Sequence, residues 1–373
     1  MRTISLFSGC GGMDLGARQA GAEVVFANDN DPKAAATHAR HFSATEFVAR
    51  PVQEVESFPY ADCLIGGYPC QSFSMGGLRN PADDPRTQLY RHFARCLDEV
   101  APRFFLAENV SGLRALQKGR FLEEQLEAFS DAGPHGYVLA SRVVRAEDYG
   151  VPQRRKRLFI VGVRRDLAAH YWFPQPTHAR ADKAAKQGRE PWASHGDALL
   201  GLPLWPAGEF YERPHDPEGH FAWYYMSRNR KAPWDGPSFT VVANWRHVTL
   251  HPASPVMKLT WSNLADGWKQ RWDFAWGDYE HLEGNPERPV LEEPRRLSWR
   301  ECARLQTFPD DLELEGPTES KIEQIGNAVP PMLAETLLRP LLSGDGLRGH
   351  PSPDAVAGLD PQLILSEAPA EAA

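Results

Sequence analysis

The sequence predicts an α/β fold, a doubly wound parallel sheet wrapped by helices, with a smaller, loop-rich second domain. Over the first 165 residues short apolar runs alternate with helical patterns, the rhythm of repeated βα units. The composition then shifts: all eleven tryptophans lie between Trp172 and Trp299, and Pro and Gly become frequent. Strands are expected at residues 3–7, 23–28, 63–66, 104–108, 138–144 and 157–163. Helices are expected at 14–20, 32–41, 88–100 and 121–132, and again at 299–306 and 331–342. From Gly344 onward Gly, Pro, Ala and Asp dominate without periodicity, as in a disordered tail.

A chain of 373 residues is long enough for two domains. It has no apolar run of about 18 residues, which argues against a membrane span. The opening MRTISLFSGCGG lacks the charged and apolar blocks of a secretory signal, so a cytoplasmic location is expected. Cys10, Cys63, Cys70, Cys96 and Cys302 are too scattered for a disulfide framework and form no Cys-x-x-Cys pair, so no metal is expected. Reduced thiols suit the cytosol, and one could serve as a nucleophile. The net charge of −8 does not favour a nucleic-acid partner, yet its distribution is uneven. From Tyr225 to Arg271 seven basic residues face only Asp235 and Asp266, and Arg154-Arg155-Lys156-Arg157 is a second basic cluster.

The first strand runs into Ser8-Gly9-Cys10-Gly11-Gly12 and then an amphipathic helix. Such a turn lets backbone approach a ligand closely and offers free N–H groups, although a plain tight connection would look the same. Counting from Gly9, Asp14 stands where the dinucleotide fingerprint needs its third glycine. That disfavours NAD and leaves a nucleoside without a pyrophosphate. At the end of the second strand Asp29 is placed to accept from ribose hydroxyls, while Asp31 before Pro32 is suited to cap a helix.

Cys70 lies in Gly66-Gly67-Tyr68-Pro69-Cys70-Gln71-Ser72-Phe73-Ser74, a glycine-rich loop at a strand's carboxyl end. A lone cysteine is commonly a small core residue, but this loop is poor core material. The strand 104–108 ends in Glu108, and a carboxyl group buried there can carry a proton near neutral pH. The structural alternatives are a helix cap or an arginine partner.

Six blocks now stand in order: SLFSGCGGMDLG (5–16), GGYPCQSFSMGG (66–77), ENVSGL (108–113), YGVPQRRKRLFIVG (149–162), RLSWRECARLQTFPD (296–310) and IGNAVPP (325–331). The series resembles the motifs of bacterial DNA cytosine-5 methyltransferases. The resemblance implies a Rossmann-like S-adenosylmethionine-dependent methyltransferase fold and transfer of a methyl group to carbon 5 of a flipped-out cytosine in double-stranded DNA. By the same resemblance Cys70 is the nucleophile, Glu108 holds ring N3, and Arg157 binds O2 with Arg155 supporting it. The cofactor positions implied are Phe7, Gly9, Gly11, Gly12, Leu15, Asp29, Leu89, Asn327 and Val329. Gln71 and Ser74 would touch DNA. Two departures stand out: Arg50-Pro51-Val52 replaces the acidic adenine contact, and Tyr68 stands where Pro is commoner.

On this reading residues 1–165 form the catalytic and cofactor-binding domain and 166–295 the target-recognition region. Residues 296–342 return to the catalytic domain, and 343–373 form the tail. Met226–Arg230, Trp234–Thr240 and Leu250-His251-Pro252 resemble modification methylases that include the GGCC-specific group. Arg228, Arg230 and Arg246 are candidate base or phosphate contacts, the alternative being solvated arginines. In the tryptophan-rich insertion 261–276, some rings would form a small core and one or two could wedge into the duplex. A monomer is expected, as the modification enzyme of a restriction–modification system or an orphan methylase. A cognate restriction endonuclease would act on the same site without a stable complex. The competing readings are a tRNA methyltransferase of the same fold, a catalytically silent DNA-binding paralogue and a nucleotide-binding oxidoreductase.

Overall fold

The computed structural model describes residues 1–68, 88–210, 221–264, 267–280 and 289–349. The chain divides into two units: Met1–Arg145, Lys156–Gln175 and the segment from Leu333 form the first, Ala146–Arg155 and Pro176–Met332 the second. The first is built on a seven-stranded sheet of β1 (Arg2–Leu6), β2 (Glu23–Asp29), β3 (Glu46–Ala49), β4 (Cys63–Gly66), β5 (Phe104–Val110), β6 (Tyr137–Arg145) and β7 (Lys156–Arg164). The order is β3-β2-β1-β4-β5-β7-β6. The chain winds outward from β1 to β3, then returns to the other side of β1 with β4 and β5. This makes a topological switch point between β1 and β4, where open α/β sheets bind ligands.

Two features differ from expectation. The sheet is not wholly parallel, because β7 runs antiparallel to both β5 and β6. Only residues 146–155 join β6 to β7, and a parallel return needs about a dozen residues or more. The short β3 carries two half-buried and two exposed residues, so it lacks the apolar run that marks its neighbours.

Helices α1 (Gly12–Gln19), α2 (Pro32–His41), α3 (Tyr90–Val100) and α4 (Arg120–Ser130) accompany the sheet. The Asp31 carboxylate accepts from the Lys33 N–H at 2.9 Å and Pro32 opens α2, the cap expected from the sequence. The core is strongly aromatic: Phe93 and Phe129 have ring centroids 5.3 Å apart, and Phe105 and Tyr137 5.2 Å. On β7, Gly162 pairs with Phe105, and a Cβ there would lie 2.0 Å from the Phe105 ring.

The helix Pro331–Ser343 closes this unit. The Tyr171 hydroxyl donates to the Leu337 carbonyl at 2.7 Å, and Arg339 to the Gln19 carbonyl at 2.8 Å. Leu347–Gly349 then pairs antiparallel with Ala169–Tyr171, so the first residues of the expected tail are ordered. Residues 350–373 lie outside the described residues. The segment expected to return as 296–342 is divided near Met332, its larger part grouping with the second unit.

The second unit carries an antiparallel hairpin, Met257–Leu264 with Gly267–Phe274, among short helices. Polar groups are built into its interior. Arg295 forks onto Glu301 with two bonds of 2.8 Å, and Ser298 and Glu301 form a capping box for the helix Trp299–Leu305. Trp234 is buried beside Ala253 and Leu291, and Trp272 packs on Tyr225, Met226, Leu250 and Met257. Trp261 and Trp276 stay exposed. Among the described residues no helix is long and apolar enough to cross a membrane.

Gly162→Ala forces a methyl group into the Phe105 ring, and overpacking of this kind costs about 1–3 kcal/mol. Urea unfolding should show a lower midpoint at unchanged slope; an unchanged midpoint would mean that the ring relaxes freely.

Candidate active site

Three neighbouring strands of the first unit end side by side. Leu6 of β1 pairs with Gly66 of β4, and Gly66 with Ala107 of β5. The glycine turn, the Gly67-Tyr68 segment and Glu108 therefore leave the sheet at one carboxyl edge. Gly66 is forced by this closeness, since a Cβ there would sit 2.5 Å from the Leu6 carbonyl oxygen.

After β1 the backbone takes left-handed values at Phe7 (φ 55°), Gly9 (φ 54°) and Gly11 (φ 87°). Left-handed backbone at a bulky Phe is strained, and such strain gathers at functional turns. Gly11 is doubly required, because a Cβ would also lie 2.6 Å from the Phe42 ring. At Gly9 a Cβ would meet nothing within 4 Å, so open space adjoins the turn there. Gly11 caps α1 with no side-chain hydrogen bond. Gly12 is buried at the start of α1, and Leu15 half-buried one turn on.

Asp29 closes the turn. Its carboxylate accepts the Gly9 N–H at 2.8 Å and the Asp31 N–H at 2.9 Å. Burial is the main influence on it and raises its pKa above the usual carboxylate value, against the lowering effect of these backbone donors. Each carboxylate oxygen keeps capacity for a further donor, so a ribose hydroxyl fits beside the structural bonds. Leu89 is half-buried against the core near α3.

Asp14, which breaks the dinucleotide pattern, is completely buried. It accepts from the Ser5 hydroxyl and lies 2.7 Å from Nε2 of His38, whose ring stacks on Phe42 at 4.3 Å. This polar trio beneath the turn has no sequence signature, because a serine, an aspartate and a histidine spread over 34 residues carry no local pattern.

Glu108 is nearly buried and faces Arg157 across β5 and β7, with Nε 2.9 Å from Oε1. Of the two structural alternatives for Glu108, the arginine partner is thus present. Gly67 lies against the same carboxylate: a Cβ would be 3.1 Å from Oε2. Asn109 donates from Nδ2 to the Tyr68 carbonyl at 3.1 Å. The Tyr68 side chain is buried, its hydroxyl 2.6 Å from Oε1 of Gln125. The larger residue at this place is thus used as core. Cys70, Gln71 and Ser74 lie outside the described residues.

Arg155 differs from its expected place in a catalytic set. It is buried, and its guanidinium donates to the carbonyls of Val241, Gly326 and Ala328 at 3.1, 3.0 and 3.0 Å. Gln153 makes similar ties to the Leu305 carbonyl and to Gln306. Both side chains hold the second unit together. Asn327 and Val329 belong to that unit also, the first exposed and the second buried. Arg50-Pro51-Val52 follows β3, with Val52 buried and the Arg50 carbonyl accepting from Asn28 at 2.8 Å.

Residues 1–343 match the family described as C-5 cytosine-specific DNA methylase. The chain belongs to this family. It is accordingly a DNA cytosine-5-methyltransferase with the family's α/β methyltransferase fold. It is 34% identical over 380 residues to the Type II methyltransferase M.BsuRI of Bacillus subtilis, spanning 91% of this chain and 79% of that protein. To the Type II methyltransferase M.MthTI of Methanothermobacter thermautotrophicus it is 36% identical over 353 residues, spanning 91% and 96%. Among solved structures the S. pombe Dnmt2 methyltransferase superposes with a TM-score of 0.60 at 17% identity, covering 92% of this chain and 98% of that one. That likeness concerns the fold.

The thiols of Cys10, Cys63, Cys96 and Cys302 are all buried. Burial pushes Cys10 and Cys63 up to about 12 and raises the other two as well. All four should resist Ellman's reagent in the native methyltransferase and react after denaturation. Rapid modification of any of them in folded protein would contradict this packing.

Proposed function

We propose that this methyltransferase modifies one cytosine within a specific double-stranded DNA sequence, with Cys70 as nucleophile and S-adenosylmethionine as methyl donor. The observation that carries the reading is the shared carboxyl edge of β1, β4 and β5. It sets the glycine turn beside the strand that leads to Cys70 and beside the Glu108–Arg157 pair. The four other thiols are buried and held protonated, which makes them unsuited to attack.

The donor set at the turn fits a nucleoside. Gly9 adjoins open space, and Asp29 has lone pairs to spare. Phe7, Leu15 and Leu89 are half-buried apolar groups suited to pack on the ligand. When bound, S-adenosylmethionine supplies an electrophilic methyl carbon.

Carbon 5 of cytosine is a poor nucleophile until the ring is activated. A Cys70 thiolate adding to carbon 6 forms a C–S bond and pushes the ring electrons toward carbon 5 and N3. Glu108, carrying a proton, is suited to donate it toward N3 as charge develops there, and Arg157 to donate to O2. The 2.9 Å contact between them places both groups before the base arrives, and Glu108 takes up its proton as the pocket fills. After methyl transfer a base removes the proton from carbon 5, and elimination returns Cys70. A base buried in a duplex cannot meet these groups, so the target must leave the stack. Arg155 takes a positioning role in this scheme, through the three carbonyls it holds.

The curated relatives are named Type II methyltransferases, and we place this chain with them as a modification enzyme of a restriction–modification system. Its recognition segments resemble the GGCC-specific group, which makes GGCC the first site to examine. Bisulfite sequencing of plasmid from an expressing host should return protected cytosines in one sequence context; plasmid left wholly convertible by active protein would refute DNA as substrate. Cys70→Ala should lower turnover by on the order of 10³-fold or more. It should also abolish the denaturation-resistant adduct that wild type forms with 5-fluorocytosine DNA, and persistence of that adduct would overturn the covalent role of Cys70.

A further inference from the structure

The second unit gathers arginines around one histidine. Arg230 donates from Nε to the Tyr225 carbonyl at 3.0 Å, and its Nη2 lies 3.4 Å from Nδ1 of His247. Arg230 and Arg296 both lie over the Tyr225 ring, at 4.9 and 4.3 Å from its centroid. His247 closes a short 3-10 turn, Trp245–His247, which Asn244 caps and on which Arg246 stacks over Trp245 at 5.0 Å. The exposed Tyr224 ring stands 5.3 Å from the imidazole.

The charges that act most strongly on His247 among the described residues are Arg230, Arg296, Arg228 and Arg246, in that order. The helix Thr318–Asn327 packs against the same turn and carries Glu319, Lys321 and Glu323, none of which is among them. Among the described residues Arg228, Arg230 and Arg246 form no ion pair. Elsewhere in the unit basic groups are neutralised, as in Arg295–Glu301 and Lys231–Glu280. Like charges crowded beside a half-buried imidazole are unfavourable in the free protein. An approaching polyanion makes them favourable.

We propose that His247 is a further DNA-contacting residue, acting with Arg228, Arg230, Arg246 and Arg296, and that it takes up a proton as the duplex docks. In the free protein its Nδ1 faces an arginine donor and must act as acceptor, which requires the neutral ring. Burial first, and then the four arginines, hold its pKa below the ordinary histidine value. DNA phosphates reverse the sign of the local field and favour the imidazolium. The duplex thus binds more tightly as pH falls, because the complex holds one proton more than the free partners.

The proposal rests on the reading of this arginine group as a DNA contact, and the test separates the two. A short fluorescein-labelled duplex carrying the site found by bisulfite sequencing is titrated by anisotropy from about pH 8.5 to about pH 6. Wild type should gain up to about tenfold in affinity per pH unit within the linked range. His247→Gln should flatten that slope, and His247→Lys should bind tightly throughout. Arg246→Ala should weaken binding roughly tenfold at every pH. Arg246→Ala weakening with an unaltered slope in His247→Gln overturns the role of His247 and leaves the DNA contact standing. Unchanged affinity in Arg246→Ala refutes the contact itself. Calorimetry of wild type in buffers of different ionisation enthalpy should report uptake of about one proton per duplex. Uptake of none overturns the proposal even if the variants fail to fold.

Discussion

The close parallel pairing of β1, β4 and β5 is the constraint on which the first unit depends. At their carboxyl ends Leu6, Gly66 and Ala107 stand in register, so the glycine turn and the Glu108–Arg157 pair are set near one another by backbone hydrogen bonds. The closeness tolerates no side chain at Gly66. Everything placed later, from the left-handed Phe7 to the Glu108–Arg157 pair, hangs from that edge. Catalytic groups that must be held to a fraction of an ångström are better mounted on strand ends than on free loops.

Much of this edge can be read directly in the amino-acid order. The apolar runs before Gly66 and Glu108 are buried strands that lack polar alternation and so stand out clearly, whereas β1 alternates Thr3, Ile4, Ser5 and Leu6 yet is buried from Thr3 onward. Asp31 before Pro32 announces a cap with a local mechanism. What escapes the sequence is set by distant partners. The reversed direction of β7 follows from a short connection, and the four-residue β3 is recognised only once β2 offers it an edge. Arg155 and Arg157 look alike as neighbours in a basic run, yet one is spent on backbone carbonyls and the other faces a carboxylate. No local pattern distinguishes them: Arg155 precedes β7 and falls in the second unit, while Arg157 lies on β7 in the first.

The second unit is less legible in its sequence for a further physical reason. Its interior relies on charged groups such as Arg295, Glu301 and Lys231, which composition assigns to the surface. Buried ions of this kind add little net stability, since their desolvation offsets much of the attraction, but removing one partner is severe. A unit held in this way gains definite geometry for its surface arginines. The same ion pairs explain why the seven basic residues counted between Tyr225 and Arg271 are not equivalent. Some, like Lys231, are committed internally, while Arg228 and Arg246 remain outward.

The trio of Ser5, Asp14 and His38 has a consequence for how this protein can change over evolutionary time. Its members sit on β1, α1 and α2, and each satisfies another away from water. Losing Asp14 alone would strand the polar atoms it now serves, whereas exchanging all three for apolar groups of similar shape can be nearly neutral. The trio should therefore be inherited as a block, with lineages keeping it whole or replacing it whole. Single departures would persist only where a second change soon follows. Drift beneath the glycine turn is in this way channelled through a few paired steps, although none of the three side chains reaches the surface.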